Sequence, residues 1–356
     1  MKNKIIFIIP DLRCGGAEKV FINLANHLSD EREIIFILLK KRGEMIDQLK
    51  NNIKIISLDV NRIRNSFFKL IKYFRKYNNA YIISAMWPLN CIVLLSSLFG
   101  SKSNLFFITE HVNLTRSNGV DFKINKIFLF LTISFTYFIA RKIICVSNGV
   151  NIDIQKYYLF NREKKFKTIY NPIVSKVEKI KKINNSKIQI LNVGTLKAQK
   201  DHKTLIKAFS LLDNIDRYHL NIVGDGPLKN ELIQFAEDLM LKDHITFHGF
   251  QKNLKNFYLN SDLFILSSIY EGFGNVLVEA MSYGMQIIST DCPSGPSEIL
   301  DNGKFGILVP ISDTKAITTA IKKIIYNKFD DKLLISRAKD FEITNISKQY
   351  IDTMNL

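Results

Sequence analysis

Two glutamates, Glu271 and Glu279, lie eight positions apart in the stretch YEGFGNVLVEA of a 356-residue chain. The first precedes a glycine-flanked phenylalanine, Phe273, and the pattern predicts a loop followed by a helix from about Asn275. First-turn N–H groups of such a helix suit an anion such as a diphosphate. A carboxylate at Glu271 could accept hydrogen bonds from sugar hydroxyls, and one at Glu279 from both hydroxyls of a ribose. Stabilisation of the helix N-terminus alone is the alternative, but it does not explain the flanking glycines.

Lys200 is a second chemically informative residue, in the stretch LNVGTLKAQKDHKTLIKAF. It directly precedes a helix that is predicted to begin near Asp201. A lysine at a helix N-terminus opposes the helix dipole, so a bound phosphate is the natural reason for its position. A solvated lysine is the alternative interpretation.

Two further groups follow predicted strands of the first half. Gly15 and Gly16 stand between the first strand and an amphipathic helix, where backbone N–H groups could approach an anion. A tight turn with Glu18 stabilising the helix is an equally good interpretation. His111 ends the stretch NLFFITEH, and its place after a strand favours a functional role over simple packing.

Short apolar runs alternate with helix-like segments along the chain, which is typical of a doubly wound α/β fold. Six such runs precede residue 172, and six follow residue 186. We therefore predict two Rossmann-like domains facing each other across a cleft, joined by a lysine- and asparagine-rich link near 172–186. The predicted boundaries are 1–172 for the first domain, 187–340 for the second, and 341–356 for a terminal helix that could pack back towards the first.

Charge is distributed unevenly between these halves. Residues 1–172 contain 27 Lys and Arg against 12 Asp and Glu, whereas the remainder contains 23 against 21. A basic half suggests an anionic membrane, a phosphorylated acceptor or a nucleic acid as a partner, and lysine-rich composition is the plainer explanation. The longest nearly apolar run, 127–140, is shorter than the ~20 residues that cross a bilayer. Four scattered cysteines, Cys14 among them, fit a reducing cytoplasm without a structural metal.

These residues together resemble glycosyltransferase family 4, retaining nucleotide-sugar transferases of the GT-B fold. The similar stretches cover most of the chain: GGAE, TEH, VSNGV, IYNPI, VGTLKAQKDHKTLIKAF, IVGDGP, FHGF, EGFGNVLVEAMSYG and DCPSGPSEIL. The last of these resembles members that build capsular, lipopolysaccharide or related surface glycans. One departure is Thr195, which stands where the family often has an arginine, and Lys197 could replace that lost phosphate contact.

The resemblance implies roles for particular residues. Lys200 would hold the diphosphate, Glu271 and His111 would contact the transferred sugar, and Glu279 would bind the donor ribose. Backbone N–H groups would also face phosphate, and the residues concerned are Gly15, Gly16, Gly274, Asn275 and Val276. Phe273 and Thr195 are also expected to line the donor site. The anomeric configuration would be retained, with UDP as the more plausible carrier.

No D-x-D motif occurs in the chain, so we predict transfer without a metal or a further cofactor. The expected acceptor is a glycan or a lipid-linked glycan at the inner face of a membrane. Two segments could rest on an anionic membrane or pack as ordinary helices: 61–79, which is basic with aromatic residues, and 124–142, which is largely apolar. A UDP-sugar 2-epimerase of the same architecture is the alternative enzyme. Nucleic-acid binding is a weaker alternative because no recognisable module supports it.

Overall fold

The computed structural model describes residues 4–13, 15–160, 164–175 and 186–356. The strands within these ranges are β1 Lys4–Ile9, β2 Glu33–Leu38, β3 Lys54–Ser57, β4 Ala80–Ala85, β5 Leu105–Glu110, β6 Lys142–Cys145, β7 Phe166–Thr168, β8 Ile188–Val193, β9 Tyr218–Val223, β10 Ile245–Phe247, β11 Leu263–Leu266, β12 Gln286–Thr290 and β13 Ile307–Val309. The helices are α1 Gly16–Leu28, α2 Phe67–Lys76, α3 Leu89–Ser97, α4 Leu114–Ser117, α5 Lys126–Tyr137, α6 Asn148–Gln155, α7 His202–Ser210, α8 Lys229–Asp238, α9 Lys255–Leu259, α10 Asn275–Ser282, α11 Pro296–Ile299, α12 Thr314–Tyr326, α13 Asp331–Ala338 and α14 Ile343–Met354.

The chain forms two compact units, one of residues 1–173 with 343–356 and the other of residues 174–342. In the first unit, the sheet has the strand order β3-β2-β1-β4-β5-β6-β7. All its pairings are parallel, and β1, β2 and β5 are buried along nearly their whole length. Helices that cover both faces of a parallel sheet account for such continuous apolar strands.

The terminal helix α14 belongs to the first unit although it follows the second unit in sequence. Its buried residues Ile346, Tyr350 and Met354 join the core cluster that includes Phe21 of α1. The second unit begins at residue 174, before the predicted start at 187, and ends at residue 342.

The second unit repeats the same arrangement with the strand order β10-β9-β8-β11-β12-β13, again all parallel. Its apolar core is formed by β8, β9, β11 and the inner faces of α7 and α12. Strand order turns around between β8 and β11, and ligands of doubly wound folds bind at the carboxyl edge of such a point.

The α/β prediction and the twelve expected strands match the structure, which adds the short strand β7. Cys14 and most of the predicted link, 176–185, lie outside the described residues. Within the basic segment 61–79 lies α2, whose Leu70, Ile71 and Phe74 are buried and point into the protein, whereas its Phe68 is 80% exposed. No helix in the described ranges has the length and apolar character to cross a membrane.

Candidate functional site

The loop between β11 and α10 carries the first predicted glutamate. Gly274 caps the N-terminus of α10 with φ of 103°, a left-handed conformation that favours glycine. Asn275 and Val276 are therefore the first two residues of the helix, and the first-turn N–H groups point out of its N-terminal end. This places the predicted anion cradle at the carboxyl edge of the sheet, as the glycine spacing indicated.

Glu271 of this loop forms an ion pair with Lys200, which lies 71 positions earlier in the chain. The Lys200 Nζ lies 2.5 Å from Glu271 Oε1, and both side chains are largely shielded from solvent. Ser268 donates a hydrogen bond to the same carboxylate oxygen at 2.6 Å. Two donors on one oxygen fix the carboxylate, so an ammonium group and a carboxylate are presented side by side.

Lys200 is held from its backbone as well. It ends a 3-10 turn, Ala198–Lys200, and its carbonyl accepts a hydrogen bond from Ser267 Oγ at 2.7 Å. The next residue, Asp201, caps α7 by accepting from the backbone N–H of Thr204. The lysine therefore lies at a helix N-terminus, as predicted, in a turn that is tied to the loop bearing Glu271.

Glu279, which lies in α10, is hydrogen-bonded to a tyrosine of α9. Tyr258 donates a hydrogen bond from its hydroxyl to Glu279 Oε2 at 2.7 Å. The Tyr258 ring stacks on Tyr283 with centroids 5.3 Å apart, and burial, aided by the nearby Glu279 carboxylate, raises the pKa of Tyr258 well above its usual value. Tyr258 thus remains a hydrogen-bond donor, and it fixes one oxygen of the carboxylate expected to bind ribose.

Phe273 lies in the loop but contributes no side chain to a ligand site. Its ring is buried, 5.4 Å from that of Phe341. A Cβ at Gly295 would lie 1.8 Å from the Phe273 carbonyl oxygen, so only glycine permits this approach of two backbones. Any ligand contact at Phe273 would thus involve its backbone, and its role towards a donor stays a prediction.

Thr195 and Lys197 lie in the turn that follows β8. Thr195 is exposed, and its carbonyl accepts a hydrogen bond from the Lys197 backbone N–H at 2.8 Å. The Lys200 N–H in turn donates to the Lys197 carbonyl at 3.0 Å. A second cation therefore occupies the same tight turn as Lys200, two residues after the threonine.

The glycine loop of the first unit places Gly15 as the cap of α1 and Gly16 as its first residue. The Glu18 side chain folds back over this loop, since a Cβ on Gly15 would lie 2.1 Å from Glu18 Oε2. Burial raises the pKa of Glu18 to about 7. A carboxyl group thus covers one side of the turn, and both interpretations of the glycine loop stay open.

His111 follows β5 and is buried. Its Nε2 lies 2.8 Å from the Thr109 hydroxyl, whose own hydrogen is donated to the Ser84 carbonyl. Nε2 must therefore carry the ring proton, which leaves Nδ1 as an acceptor. Nδ1 has no hydrogen-bond partner within the described residues, and burial lowers the pKa of His111 to about 3. The imidazole is neutral and can accept, but not donate, through Nδ1.

Glu110, beside His111, is also buried and was not predicted as a site residue. Its Oε1 accepts hydrogen bonds from Asn90 Nδ2 at 2.7 Å and from the Tyr137 hydroxyl. Burial raises the pKa of Glu110 to about 7 against the opposing effect of these bonds. The carboxyl group joins β5 to α3 and α5, and its negative charge is disfavoured.

Sequence reasoning missed Tyr258 and Ser268 because both stand in apolar stretches where neither spacing nor charge marks them. The eleven site residues predicted from the sequence are divided between the units: Gly15, Gly16 and His111 lie in the first, and the others in the second. In the described part of the chain, no three His, Cys, Asp or Glu side chains are grouped so as to hold a metal ion.

Two doubly wound parallel sheets, the second carrying Lys200, Glu271 and Glu279 at one edge, define a protein of the GT-B class. Solved structures of this class align over nearly the whole chain. Anabaena HepE in complex with UDP-glucose covers 99% of both chains with a TM-score of 0.83 at 18% identity. WaaG, a glycosyltransferase of lipopolysaccharide biosynthesis, covers 98% of both chains with a TM-score of 0.72 at 14% identity.

Residues 174–341, which make up nearly all of the second unit, match the family model described as glycosyl transferases group 1. A Campylobacter jejuni relative is 28% identical over 98% of this chain and 97% of its own. It is the GalNAc-alpha-(1->4)-GalNAc-alpha-(1->3)-diNAcBac-PP-undecaprenol alpha-1,4-N-acetyl-D-galactosaminyltransferase. The amylovoran biosynthesis glycosyltransferase AmsD of Erwinia amylovora is 24% identical over 90% of both chains. The protein is a glycosyltransferase, so this prediction is confirmed over the epimerase alternative.

Proposed function

We propose that the protein moves a hexose or N-acetylhexosamine from a UDP-sugar to a lipid-linked glycan during surface polysaccharide synthesis. The observation that carries the proposal is the ion pair between Lys200 and Glu271. Glu271 lies in the loop that ends at the N-terminus of α10. The names of the relatives support the lipid-linked acceptor, and the UDP complex of a structural neighbour supports the carrier.

Lys200 would act on the leaving diphosphate. Its ammonium has three hydrogens, so it can contact phosphate oxygens while it stays bonded to Glu271. The N-terminus of α10 adds positive potential from the aligned peptide dipoles. Both groups are fixed before the reaction, so they stabilise negative charge that develops as the glycosidic bond breaks.

The two glutamates would orient the donor. Glu271 offers carboxylate oxygens to sugar hydroxyls, and its bonds to Lys200 and Ser268 hold it in place. Glu279 would accept hydrogen bonds from the ribose, with Tyr258 fixing the carboxylate. His111 would accept a hydrogen bond from a ligand hydroxyl through Nδ1, in the first unit.

We further propose that transfer retains the anomeric configuration and needs no metal ion. Lys200 and the α10 N-terminus supply the charge stabilisation that a metal supplies elsewhere. Activity in EDTA tests the metal proposal, and full activity restored only by added Mn²⁺ or Mg²⁺ contradicts it. The anomeric signal of the product by NMR tests retention.

The reaction would take place at the inner, cytoplasmic face of an anionic membrane, where a lipid-linked acceptor is available. The basic excess of residues 1–172 suits anionic lipid headgroups. We propose no nucleic-acid partner, and salt-sensitive binding of DNA or RNA at micromolar concentration would contradict this.

Calorimetric titration of UDP and GDP, in EDTA, into the wild type and Glu279→Ala tests the donor site. We expect UDP to bind and the substitution to weaken binding by ~2 kcal/mol, since a bond to a charged group is lost. Lys203→Ala is a control, because Lys203 pairs with Glu231 on the surface. The proposal would be overturned if neither UDP nor GDP bound to the wild type.

A further inference from the structure

One helix of the first unit is apolar on its outer as well as its inner side. Leu129, Ile133 and Tyr137 of α5 are fully buried. Its outer side chains are between 44% and 68% exposed, and they are Ile127, Phe128, Leu131, Phe135 and, at the C-cap, Phe138. A helix that is apolar all round is normally buried, so this outer face is expected to be covered in the working protein.

The exposed face extends past the end of the helix. The Phe138 ring centroid lies 5.0 Å from that of Phe160, a residue that follows α6 in the chain. Leu159, which precedes Phe160, is exposed. Leu98 and Phe99 at the end of the neighbouring helix α3 are exposed as well. The α5 face, meaning the exposed residues of α5 together with Phe160, is therefore an extended apolar surface.

Positive charge borders the α5 face at both ends. Lys123 and Lys126 stand exposed at its N-terminal end, and Arg141 at its C-terminal end. Residues 121–142 contain four basic residues and one acidic residue, Asp121. Lys165 lies over the Phe138 ring, with Nζ 5.8 Å from its centroid. An apolar surface between cations matches the order of acyl chains and anionic headgroups in a bilayer.

The dimensions of α5 restrict how it could meet a bilayer. Twelve residues span about 18 Å, less than the ~30 Å of the hydrocarbon core. The helix can therefore lie in the interface but cannot cross it. A second copy of the chain is a poorer occupant, because a symmetric contact would bring two basic borders together.

We propose that the α5 face inserts into the headgroup region of an anionic membrane and holds the first unit there. The proposal deepens the proposed function, and it rests on that function only for the lipid-linked nature of the acceptor. It also identifies α5, rather than the basic helix α2, as the helix that enters the lipid, since Leu70, Ile71 and Phe74 of α2 are buried and α2 exposes one large apolar side chain, Phe68.

Flotation of the full chain with vesicles of phosphatidylcholine and 30% phosphatidylglycerol tests the proposal. The variant Phe128→Ser, Leu131→Ser, Phe135→Ser should partition on the order of 100-fold less, because three apolar side chains no longer enter the lipid. Lys126→Glu should lower partitioning at least fivefold, and less so at high salt. Met240→Ser, which removes an exposed methionine from the second unit, is the matched control and should leave binding unchanged.

Depth of insertion gives an independent measurement. Phe135→Trp in a Trp87→Phe background leaves one tryptophan, whose fluorescence should be quenched by dibrominated lipid. Met240→Trp in the same background should not be quenched. Unchanged flotation of the triple variant, or no quenching at position 135, overturns the proposal. So does a dimer, by light scattering without lipid, that the triple variant converts to a monomer.

Two controls separate the membrane proposal from the donor-site proposal. Circular dichroism should show that the triple variant is folded, since the replaced side chains are exposed. UDP titration should give the wild-type affinity in that variant, because Lys200, Glu271 and Glu279 lie in the other unit and none of the three replaced residues is a predicted donor contact. Lost UDP binding together with lost flotation in a folded triple variant would contradict an independent role of the α5 face.

Discussion

The Tyr258 hydroxyl donates to Glu279 Oε2 at 2.7 Å, and this bond links α9 to the second turn of α10. Tyr258 is buried, and its ring is stacked on Tyr283, so the hydroxyl has little freedom to move. A carboxylate that would otherwise rotate is thereby held in one orientation. Preorganisation of this kind lowers the entropy lost when a ligand binds.

Tyr258→Phe therefore tests whether the orientation of Glu279 affects nucleotide affinity. We expect UDP to bind about fivefold more weakly, corresponding to one lost hydrogen bond. Calorimetry measures the change, and Tyr326→Phe, on an exposed tyrosine of the same unit, is the control. In Glu279→Ala the additional effect of Tyr258→Phe should disappear, and two independent, additive losses would show that the tyrosine does not act through Glu279.

Lys200→Met should reduce kcat by two to three orders of magnitude, since a fixed donor to the leaving diphosphate is lost. Methionine retains the stem that passes over Gly194 but removes the charge. Release of UDP in the presence of acceptor measures turnover. Lys203→Met, on the exposed side of α7, should be nearly silent, and equal losses in both variants would mean that the charge of the turn matters rather than the pair with Glu271.

Thr195→Arg should raise UDP affinity about tenfold, because a guanidinium in the turn after β8 adds a charge-assisted bond to phosphate. Lys197→Ala should weaken UDP binding when it is made alone, and it should weaken UDP binding less when it is made in the Thr195→Arg variant. Calorimetry at low and high salt separates a direct bond from general attraction. An unchanged affinity in Lys197→Ala would exclude it as the replacement for the missing arginine.

Glu110→Gln should remove part of the pH dependence of stability. Burial raises the pKa of Glu110 to about 7 from 4.5, so between these values the folded state holds a proton that the unfolded state has lost. The free energy of unfolding therefore falls as the pH rises from 4.5 to 7. Above pH 7 the whole decrease, on the order of 3 kcal/mol, has taken place.

Urea unfolding at pH 5 and pH 8 measures this effect. The wild type should lose more stability than Glu110→Gln over the interval, since the amide stays neutral and can still accept from Asn90 and Tyr137. Glu18 has a raised pKa too and contributes the same sign, so the variant should retain some dependence. Parallel curves for both proteins would contradict the assignment.

His111 should not titrate during turnover. Its pKa is lowered to about 3, so the ring is neutral throughout the range from pH 5 to 9. His111→Asn, whose amide oxygen can replace Nδ1 as an acceptor, should keep more activity than His111→Leu. The three pH profiles should share one shape, and an inflection near pH 6 found only in the wild type would contradict a permanently neutral imidazole.

The sequence predicts the strands well because each buried strand of a parallel sheet is a short run of β-branched residues. Strand β7 escapes prediction because its three residues lie at a sheet edge and are only partly buried, without an apolar run. The conformation of a loop could be anticipated where it needs a left-handed backbone that glycine permits, as at Gly274. It could not be anticipated where a contact joins distant segments, as between Tyr258 and Glu279.

Burial narrows one question that the sequence left open, the orientation of α2. Leu70, Ile71 and Phe74 of α2 face the core, whereas Phe68 and the lysines and arginines on that helix are exposed. Periodicity alone could not separate this from a membrane-facing stripe, since both give the same spacing. The roles of Gly15, Gly16 and His111 towards a donor stay predictions, because they depend on how a ligand is placed rather than on the fold of one unit.

Helix α14 makes the order of synthesis relevant to folding. Its residues Ile346, Tyr350 and Met354 fill the core of the first unit, yet the ribosome makes them after all of the second unit. An emerging N-terminal domain normally folds first, but here the surface of α1 that α14 covers stays exposed until translation passes residue 354. A chaperone that meets the nascent chain before α14 has emerged therefore encounters a first unit whose apolar core is incomplete.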